Sequence, residues 1–259
     1  MSTGKTTLAL LLSALLPAGA AWAAGNDTLV YCSEASPESF NPQIASSGPS
    51  FVASSQVLYN RLVSFDPVKN TPIPSLATEW HVSEDGKTWT FTLRQGVKFN
   101  SNKFFKPTRD FNADDVLFSV LRQMDPQHPY HKVSQGNYEY FHDVGLDKLI
   151  KSVKKVDDYH VQFELNEPNA AFLADWGMDF ASILSAEYGE AMLKKGTPEN
   201  VDNWPVGTGP YALQQYKVDS QIRYIANPHY WEGEVPTKHL IFSITPNVET
   251  RLAKQIGRA

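Results

Sequence analysis

Residues 80–93 read WHVSEDGKTWTFTL, and this stretch gives the clearest indication of the fold. Trp80 and Val82 alternate with polar residues before Asp85-Gly86, and apolar residues alternate with polar ones again after it. Alternation of this kind is typical of a half-buried β-strand, and Asp-Gly favours the tight turn of a hairpin. The sequence therefore predicts a β-hairpin with one apolar face.

A second hairpin is predicted further along the chain. Apolar residues up to Val156 precede Asp157-Asp158, and Val161 and Phe163 alternate with polar residues after it. Further short strands are predicted over residues 28–32, 211–216, 222–226 and 240–244.

Helices are predicted between these strands. Leu58 and Leu62 recur at helical spacing with their apolar neighbours, which predicts an amphipathic helix over residues 52–63. Other helices are predicted from about Ala170 and over residues 185–196. Because hairpins alternate with helices and longer crossovers, the predicted class is α/β with a mixed sheet.

One more helix is predicted to begin at Asn112, a favoured N-cap residue. Asp114 and Asp115 then lie near the positive end of the helix, so this carboxylate pair is interpreted as capping rather than catalytic. The inward face is assigned to Val116, Leu117, Val120, Leu121 and Met124.

The first 23 residues have the pattern of a secretory signal peptide. Lys5 supplies a positive charge, and residues 8–16 are an apolar run too short to span a bilayer. Small residues then precede a cleavage point between Ala23 and Ala24. The mature chain is therefore predicted to be soluble and exported. Its formal net charge of -5 gives no electrostatic reason to expect a nucleic-acid partner.

No sequence motif predicts catalysis, a cofactor or a metal site. The metalloprotease, phosphate-loop, Cys-x-x-Cys and Gly-x-Ser-x-Gly patterns are absent. His128 and His131 are close in sequence, but Pro129 interrupts the helix that would align them on a metal. Residues 207–209 precede a predicted strand, which favours a tight turn over a phosphate cradle. An exported hydrolase with a dispersed catalytic triad remains an alternative.

Several blocks between about residue 28 and residue 251 resemble the bacterial extracellular solute-binding proteins of family 5, and in particular their dipeptide-binding branch. The hairpin at residues 80–94 resembles part of the family's signature region. The other blocks are YCSE (31–34), SPESFNPQ (36–43), LYNRLV (58–63), GVKF (96–99), NADDV (112–116), PYHKVS (129–134), YEYF (138–141), MDFASILS (178–185) and VGTGP (206–210).

The resemblance implies a fold like that of type II periplasmic binding proteins, in which two lobes close on a solute. Residues 24–66 and 186–259 would form the core of the first lobe, and residues 67–185 an inserted subdomain that contains both hairpins. Relatives continue into a second lobe, whereas this chain ends at Ala259. We therefore expect the second lobe to be absent, as in a truncated or frameshifted reading frame. In the dipeptide branch a later cysteine pairs with the one at Cys32, so Cys32 is expected to be unpaired here.

The function implied by the resemblance is that of a periplasmic receptor, a monomer without cofactor and not an enzyme. It would bind dipeptides or short peptides and present them to an ABC permease in the inner membrane. Predicted ligand contacts fall into three groups: the hydroxyls and backbone of Ser46, Ser47, Gly48 and Ser50; an aromatic wall of Tyr138, Tyr140 and Phe141; and the turn Gly207, Thr208 and Gly209.

Other cargoes and another role remain open. Relatives of this fold carry heme, glutathione, nickel or antimicrobial peptides, and the fold alone does not choose among them. The charged anchors for the two peptide termini would lie in the second lobe, so a single lobe is expected to bind weakly and to expose a surface that promotes aggregation. A non-transporting interaction module is a further alternative.

Overall fold

A computed structural model describes residues 27–256. The predicted signal peptide, with its cleavage point at Ala23 and Ala24, lies outside the described residues. The strands are β1 Thr28–Ser33, β2 Val63–Phe65, β3 Pro72–Pro74, β4 Ala77–Val82, β5 Thr88–Leu93, β6 Ile150–Asp157, β7 His160–Leu165, β8 Tyr211–Lys217, β9 Gln221–Ala226 and β10 His239–Ile244. The helices are α1 Gly48–Ala53, α2 Ala113–Met124, α3 Glu139–Asp143, α4 Leu146–Leu149, α5 Phe172–Asp175, α6 Ala186–Lys194, α7 Asn200–Asn203 and α8 Val248–Ile256, with single 3-10 turns at Val133–Gln135 and Asp179–Ala181.

Two four-stranded sheets organise the described residues. Sheet 1 has the order β1-β10-β9-β8, with β1 parallel to β10 and the other pairs antiparallel. Sheet 2 has the order β4-β5-β7-β6 and is antiparallel throughout. Strands β2 and β3 form a separate two-stranded ribbon. The predicted α/β class with a mixed sheet is therefore confirmed.

Both predicted hairpins are present in sheet 2. Trp80 pairs with Phe91 and Val82 with Trp89, so the alternating apolar residues of β4 and β5 share one face. The turn between them has Gly86 at φ +70°, a backbone region that favours glycine. Apolar side chains of β5 and β7 are buried on that face: Trp89, Phe91, Leu93, Val161, Phe163 and Leu165.

Helix α2 begins where the sequence predicts. Asn112 Oδ1 accepts a hydrogen bond from Asp114 N at 3.0 Å, and Asn112 N donates to Asp115 Oδ2 at 3.0 Å. This reciprocal capping satisfies backbone donors that have no partner inside the helix.

The predicted inward face of α2 is only partly correct. Val116 and Val120 are buried, but Leu117, Leu121 and Met124 are half-buried. The helix contacts sheet 2 through β6 and also contacts α6, so it is covered on more than one side. Its second buried face is polar and consists of Asp115, Ser119, Arg122 and Gln123.

The predicted helix over residues 52–63 is wrong. Helix α1 ends at Ala53, a series of turns follows, and β2 begins at Val63. Distant parts of the chain use the backbone of this stretch: the carbonyl of Leu58 accepts from Gly209 N at 3.0 Å, and that of Val57 accepts from Tyr211 N at 2.9 Å. An α-helix would need those carbonyls for its own i to i+4 bonds. The helix expected from about Ala170 is the single turn of α5.

Sheet 1 is built from the two ends of the described chain, and sheet 2 from its middle. Buried side chains from both sheets belong to one continuous hydrophobic cluster, which includes Phe91 and Phe163 of sheet 2 and Tyr224 and Phe242 of sheet 1. The division of the chain at residues 66 and 186 stays a prediction.

Candidate functional site

The candidate site lies where the two parallel strands of sheet 1 end. Strands β1 and β10 run in the same direction, with Cys32 beside Ser243 and Ser33 beside Ile244. Thr245 N donates to the carbonyl of Ser33 at 2.7 Å, which holds the two segments together as they leave the sheet. In open α/β sheets, ligands bind outside the carboxyl ends of the strands. The topology therefore favours a ligand at this edge.

A cleft of about 370 Å³ opens at the same edge, and we call it the strand-end cleft. The end of β1 forms one side, the start of α1 a second and the first turn of α8 a third. Its lining residues are Tyr31, Cys32, Ser33, Glu34, Gly48, Pro49, Val52 and Arg251.

The strand-end cleft contains one acidic and one basic side chain. Glu34 directly follows β1 and is exposed. Arg251 is held in place because its Nη1 donates to the carbonyls of Thr245 and Pro246, each at 2.8 Å. The cleft thus offers a charge of each sign next to backbone groups and small side chains. Such a surface can bind a polar solute through charge and hydrogen bonds.

A larger hollow of about 510 Å³ lies at the other end of β10, lined in part by Asn100, Asn227 and His239. Its two buried amides already have partners: Nδ2 of Asn227 donates to the carbonyl of Gly209 at 3.0 Å, and that of Asn100 to the carbonyl of Tyr211 at 3.2 Å. Those amides are satisfied within the protein. The hollow also lies away from the carboxyl ends of the parallel strands, so we favour the strand-end cleft despite its smaller volume.

One member of the first group of predicted ligand contacts, Gly48, lies at this cleft. Gly48 lines it, and the preceding Ser46 is exposed while Ser47 is half-buried. Ser50 faces inward and is fully buried, where its Oγ accepts from Glu38 N at 2.9 Å and lies 2.9 Å from Ser47 Oγ. The Ser50 hydroxyl therefore stabilises residues 46–50 on their buried side.

The second group, the predicted aromatic wall, is mostly in the core. Tyr138 and Phe141 are both 0% exposed. Burial raises the pKa of the Tyr138 hydroxyl, more than the neighbouring Arg122 lowers it, and this hydroxyl donates to the carbonyl of His131 at 2.9 Å. In this structure these two rings offer no surface to a ligand. Tyr140 is half-buried and packs edge-on against Phe51 of α1, with 5.5 Å between ring centroids.

The third group, Gly207, Thr208 and Gly209, is also buried and does not line the strand-end cleft. Gly209 N donates to the carbonyl of Leu58 at 3.0 Å, and Thr208 Oγ1 donates to Asn60 Oδ1 at 2.9 Å. The tight turn predicted from the glycines packs against the 54–62 segment. The turn does not border the strand-end cleft, and a contact between it and a ligand stays a prediction.

The remaining candidate residues have structural surroundings. Cys32 is a free, buried thiol at the end of β1. His131 Nδ1 lies 2.9 Å from the carbonyl of Arg122, and the ring of His128 packs against Phe118 at 5.4 Å. Within residues 27–256, no three His, Cys, Asp or Glu side chains are placed to hold a metal ion. No helix of the described part of the chain is long and apolar enough to cross a membrane.

Sequence reasoning missed most of the cleft lining, in particular Glu34 and Arg251. Glu34 could have been found from its position directly after a strand that was predicted correctly. Arg251 could not, because nothing local shows that α8 returns beside the end of β1.

Known proteins share this fold and much of this sequence. The dipeptide-binding protein of Escherichia coli is 57% identical over 252 residues, which are 97% of this chain and 46% of that protein. Heme-binding protein A of Haemophilus influenzae is 52% identical over 88% of this chain and 42% of its own length. The chain thus spans about half the length of the curated relatives it matches.

Solved structures agree with the sequence comparison. The dipeptide binding protein from Pseudoalteromonas sp. SM9913, in complex with Met-Leu, superposes with a TM-score of 0.87 at 46% identity. The match covers 89% of this chain and 46% of the other. The family model for the middle region of the bacterial extracellular solute-binding proteins, family 5, matches residues 71–257. The chain therefore belongs to the bacterial extracellular solute-binding proteins of family 5.

Proposed function

We propose that this chain provides one wall of a peptide-binding cleft in a periplasmic receptor that delivers dipeptides or short peptides to an ABC importer. The observation that carries the proposal is the strand-end cleft, which lies where this topology favours a ligand and contains one charge of each sign. A short peptide has a charged group at each end and a polar backbone between them. The two charges of the cleft would add to the anchors for the peptide termini that are expected in the second lobe, because charge complementarity favours correct orientation of the peptide.

The relatives support the choice of cargo. The protein of highest identity among those compared above is named for dipeptide binding, and the solved relative holds Met-Leu. The role needs no chemical step. It needs a cleft, a second body that closes over the ligand, and a permease that recognises the closed form.

One wall alone is expected to bind weakly. Protein pockets bury about 70–90% of a small ligand, whereas the strand-end cleft is open to one side. We expect the 259-residue chain to bind dipeptides at least about 100-fold more weakly than a protein with two walls, which corresponds to about 2.7 kcal/mol.

The test is a chimera in which this chain is followed by the part of the E. coli dipeptide-binding protein that it does not match. Calorimetry with a panel of dipeptides is expected to give about micromolar or tighter affinity for the chimera and little or no heat for the chain alone. Micromolar binding by the chain alone would contradict the need for a second wall. A folded chimera that binds no peptide would contradict the proposed function.

A wall variant separates a contribution of this chain from that of the added half. At Gly48 an added Cβ meets nothing within 4 Å, so Gly48→Phe places a ring in open space at the cleft without an internal clash. It is expected to weaken peptide binding at least about ten-fold with unchanged melting temperature. The control is Val218→Phe, at a 67% exposed position in the β8–β9 turn, which should leave affinity unchanged.

Heme is the second candidate cargo, because a heme-binding relative is 52% identical. A second chimera with the unmatched part of that relative, titrated with heme and followed by absorbance, tests it. Tight heme binding there, combined with no peptide binding by the first chimera, would favour heme.

A further inference from the structure

A buried ion pair lies beneath the segment that leads into the strand-end cleft. Arg122 of α2 donates from Nη2 to Asp202 Oδ2 at 2.8 Å, and its Nη1 lies 2.8 Å from Oδ1. The two side chains are 0% and 1% exposed. Burial lowers the pKa of Arg122, but the attraction of Asp202 outweighs it and raises that pKa overall. Arg122 is therefore a charged guanidinium.

Asp202 and Arg122 also bind two other segments. Asn41, ahead of α1, donates from Nδ2 to Asp202 Oδ1 at 2.8 Å, and Ser134 Oγ donates to Oδ2 at 2.6 Å. On the other side of the pair, Arg122 Nε donates to the hydroxyl of Tyr138 at 3.2 Å. One carboxylate and one guanidinium thus connect α2, α7, the approach to α1 and the 133–138 turn.

Such a pair adds little to net stability. Removing two charges from water costs about as much as their attraction returns, and apolar replacements of similar volume are often neutral or stabilising. In some proteins a buried charged or polar group instead selects one conformation of the chain. The partners of the pair indicate which conformation it selects.

One selected conformation is the strained 133–138 turn. Ser134, Gln135 and Tyr138 have φ of 54°, 58° and 50°, in the left-handed region that non-glycine residues rarely adopt. Strain of this kind persists only where surrounding contacts hold it. The hydrogen bonds from Ser134 to Asp202 and from Arg122 to Tyr138 are two of those contacts. The turn also packs against Ile44, because a Cβ added at Gly136 would lie 3.1 Å from Ile44 Cγ2.

The second selected conformation is that of residues 41–50. Asn41, held by Asp202, accepts on Oδ1 from Gln43 N at 3.0 Å. Gln43 then donates from Nε2 to the carbonyls of Ser119 and Ser182 at 3.0 and 3.2 Å. The chain continues through Ile44 to Gly48 at the cleft. A series of hydrogen bonds that starts at Asp202 therefore holds the α1 wall of the strand-end cleft on its buried side.

We propose that Asp202 and Arg122 are positioning residues that hold residues 41–50, and with them the α1 wall of the strand-end cleft, in one conformation. The positioning itself is a property of this chain alone. Only its effect on ligand affinity rests on the proposed function.

Hydrogen exchange of the 259-residue chain tests the positioning directly. Asp202→Asn keeps the size of the side chain and removes its charge. We expect amide exchange in residues 38–52 and 131–141 to become at least about ten-fold faster, while β4, β5 and β7 keep their protection. Unchanged exchange in residues 38–52, or an equal increase throughout the chain, would overturn the proposal.

The chain offers a matched control on the same helix. Asp115 of α2 is buried and forms a bidentate pair with Arg109, with Nη1–Oδ2 and Nη2–Oδ1 distances of 2.7 and 2.9 Å. It also accepts from Ala186 N at 2.8 Å. Asp115→Asn is therefore expected to speed exchange near residues 112–119 and 185–189 and to leave residues 38–52 unchanged. The same effect of both variants on residues 38–52 would show a general loss of stability.

Asn41→Ala covers the case in which Asp202→Asn does not fold. It removes the link between the ion pair and the cleft segment, together with the hydrogen bond that Asn41 accepts from Gln43 N, and leaves the contact of Ser134 with Asp202 in place. It is expected to loosen residues 38–52 but not residues 131–141. Unchanged exchange in both segments would contradict the proposal.

The ligand effect is measured separately in the dipeptide chimera. Asn41→Ala is expected to weaken dipeptide binding about five- to ten-fold, mostly through faster dissociation, and Asp115→Asn to change it less than two-fold. If no chimera binds peptide, the proposed function fails, and hydrogen exchange still decides the positioning role.

Discussion

The three glycines among the predicted ligand contacts differ in how much space surrounds them. A Cβ at Gly207 would lie 1.9 Å from the carbonyl oxygen of Leu58, and one at Gly209 would lie 2.5 Å from the carbonyl carbon of the same residue. A Cβ at Gly48 would meet nothing within 4 Å. The first two glycines allow two backbones to touch, whereas Gly48 leaves room at the cleft.

We expect Gly207→Ala to lower the free energy of unfolding by at least about 3 kcal/mol, because backbone on both sides prevents the relief of the clash. Gly48→Ala should change it by less than about 0.5 kcal/mol, since the new methyl lies in open space within a helix. Denaturant unfolding of both variants measures the difference. Equal stabilities would show that the 54–62 segment can move away from residues 207–209.

Asp175 makes stability depend on pH. Burial raises its pKa from 3.8 to about 6, so the folded chain holds this proton more tightly than the unfolded chain. For an acid whose folded pKa is raised, stability is highest below the unfolded pKa and falls as pH rises through about 4 to 6. Asp175→Asn removes the cost of the buried charge. It is expected to be about 1–2 kcal/mol more stable than the parent at pH 7.5, with the gap closing near pH 4.

Urea unfolding at several pH values checks this expectation. The exposed Asp143→Asn is the control and should follow the parent at every pH. A constant offset of Asp175→Asn across the range would mean that its effect does not come from ionisation.

At the scale of elements, the sequence predicts the helices and strands whose conformation depends on neighbouring residues. It does not predict the segments whose conformation depends on contacts with distant parts of the chain. The hairpin at Trp80 and the capped helix at Asn112 follow from neighbouring residues, because turn and cap chemistry act within a few positions. Residues 52–63 have helical spacing but no helix, since the carbonyls of Val57 and Leu58 accept from amides far along the chain. In this segment the spacing of the apolar residues indicates which side chains are buried, but it does not indicate the backbone conformation.

The candidate site was predictable only in part, for the same reason. Of the predicted residues Ser46, Ser47, Gly48 and Ser50, Gly48 lines the cleft and Ser50 is buried. Tyr138 and Phe141 have the composition of a binding wall, but burial of a large ring in the core is favoured wherever space is available. Arg251 reaches the cleft only through the parallel pairing of β1 with β10, which no local pattern indicates.

Strand β1 has an open edge. Among residues 27–256 it pairs with β10 on one side alone, and its apolar Leu29 and Tyr31 are 56% and 43% exposed. The strand, TLVYCS, contains no charge and no proline to discourage pairing with another chain. We therefore expect the chain to self-associate at about 100 µM through β1.

Leu29→Lys adds a charge at this edge and is expected to return the sedimentation mass to that of a monomer without loss of stability. The control, Val218→Lys, changes an exposed apolar residue in the β8–β9 turn and should leave self-association as it is. Equal effects of the two variants would assign the association to general charge rather than to β1.

At the scale of the molecule, the two sheets share one core, so the cleft wall rests on a rigid body. Phe91 packs edge-on against Phe163, with 5.7 Å between centroids, and Tyr224 against Phe242 at 5.3 Å. Both pairs belong to the same buried cluster. Tyr224 also donates from its hydroxyl to the carbonyl of Ala53 at 2.7 Å, which ties α1 to sheet 1. A wall supported in this way can keep its shape while a partner body moves against it.

The pairing of Thr28 with His239 has a consequence for synthesis. A ribosome produces about 5–20 residues per second, so β1 leaves the exit tunnel roughly ten seconds or more before β10, its strand partner within residues 27–256, exists. Closing so long a loop is also slow, because its entropy must be lost before the contact is gained. During this interval β1 of each nascent chain is unpaired and uncharged, so another strand can pair with its edge. Ribosomes that follow one another on a messenger bring such templates close together, which makes holding factors most useful at this early stage.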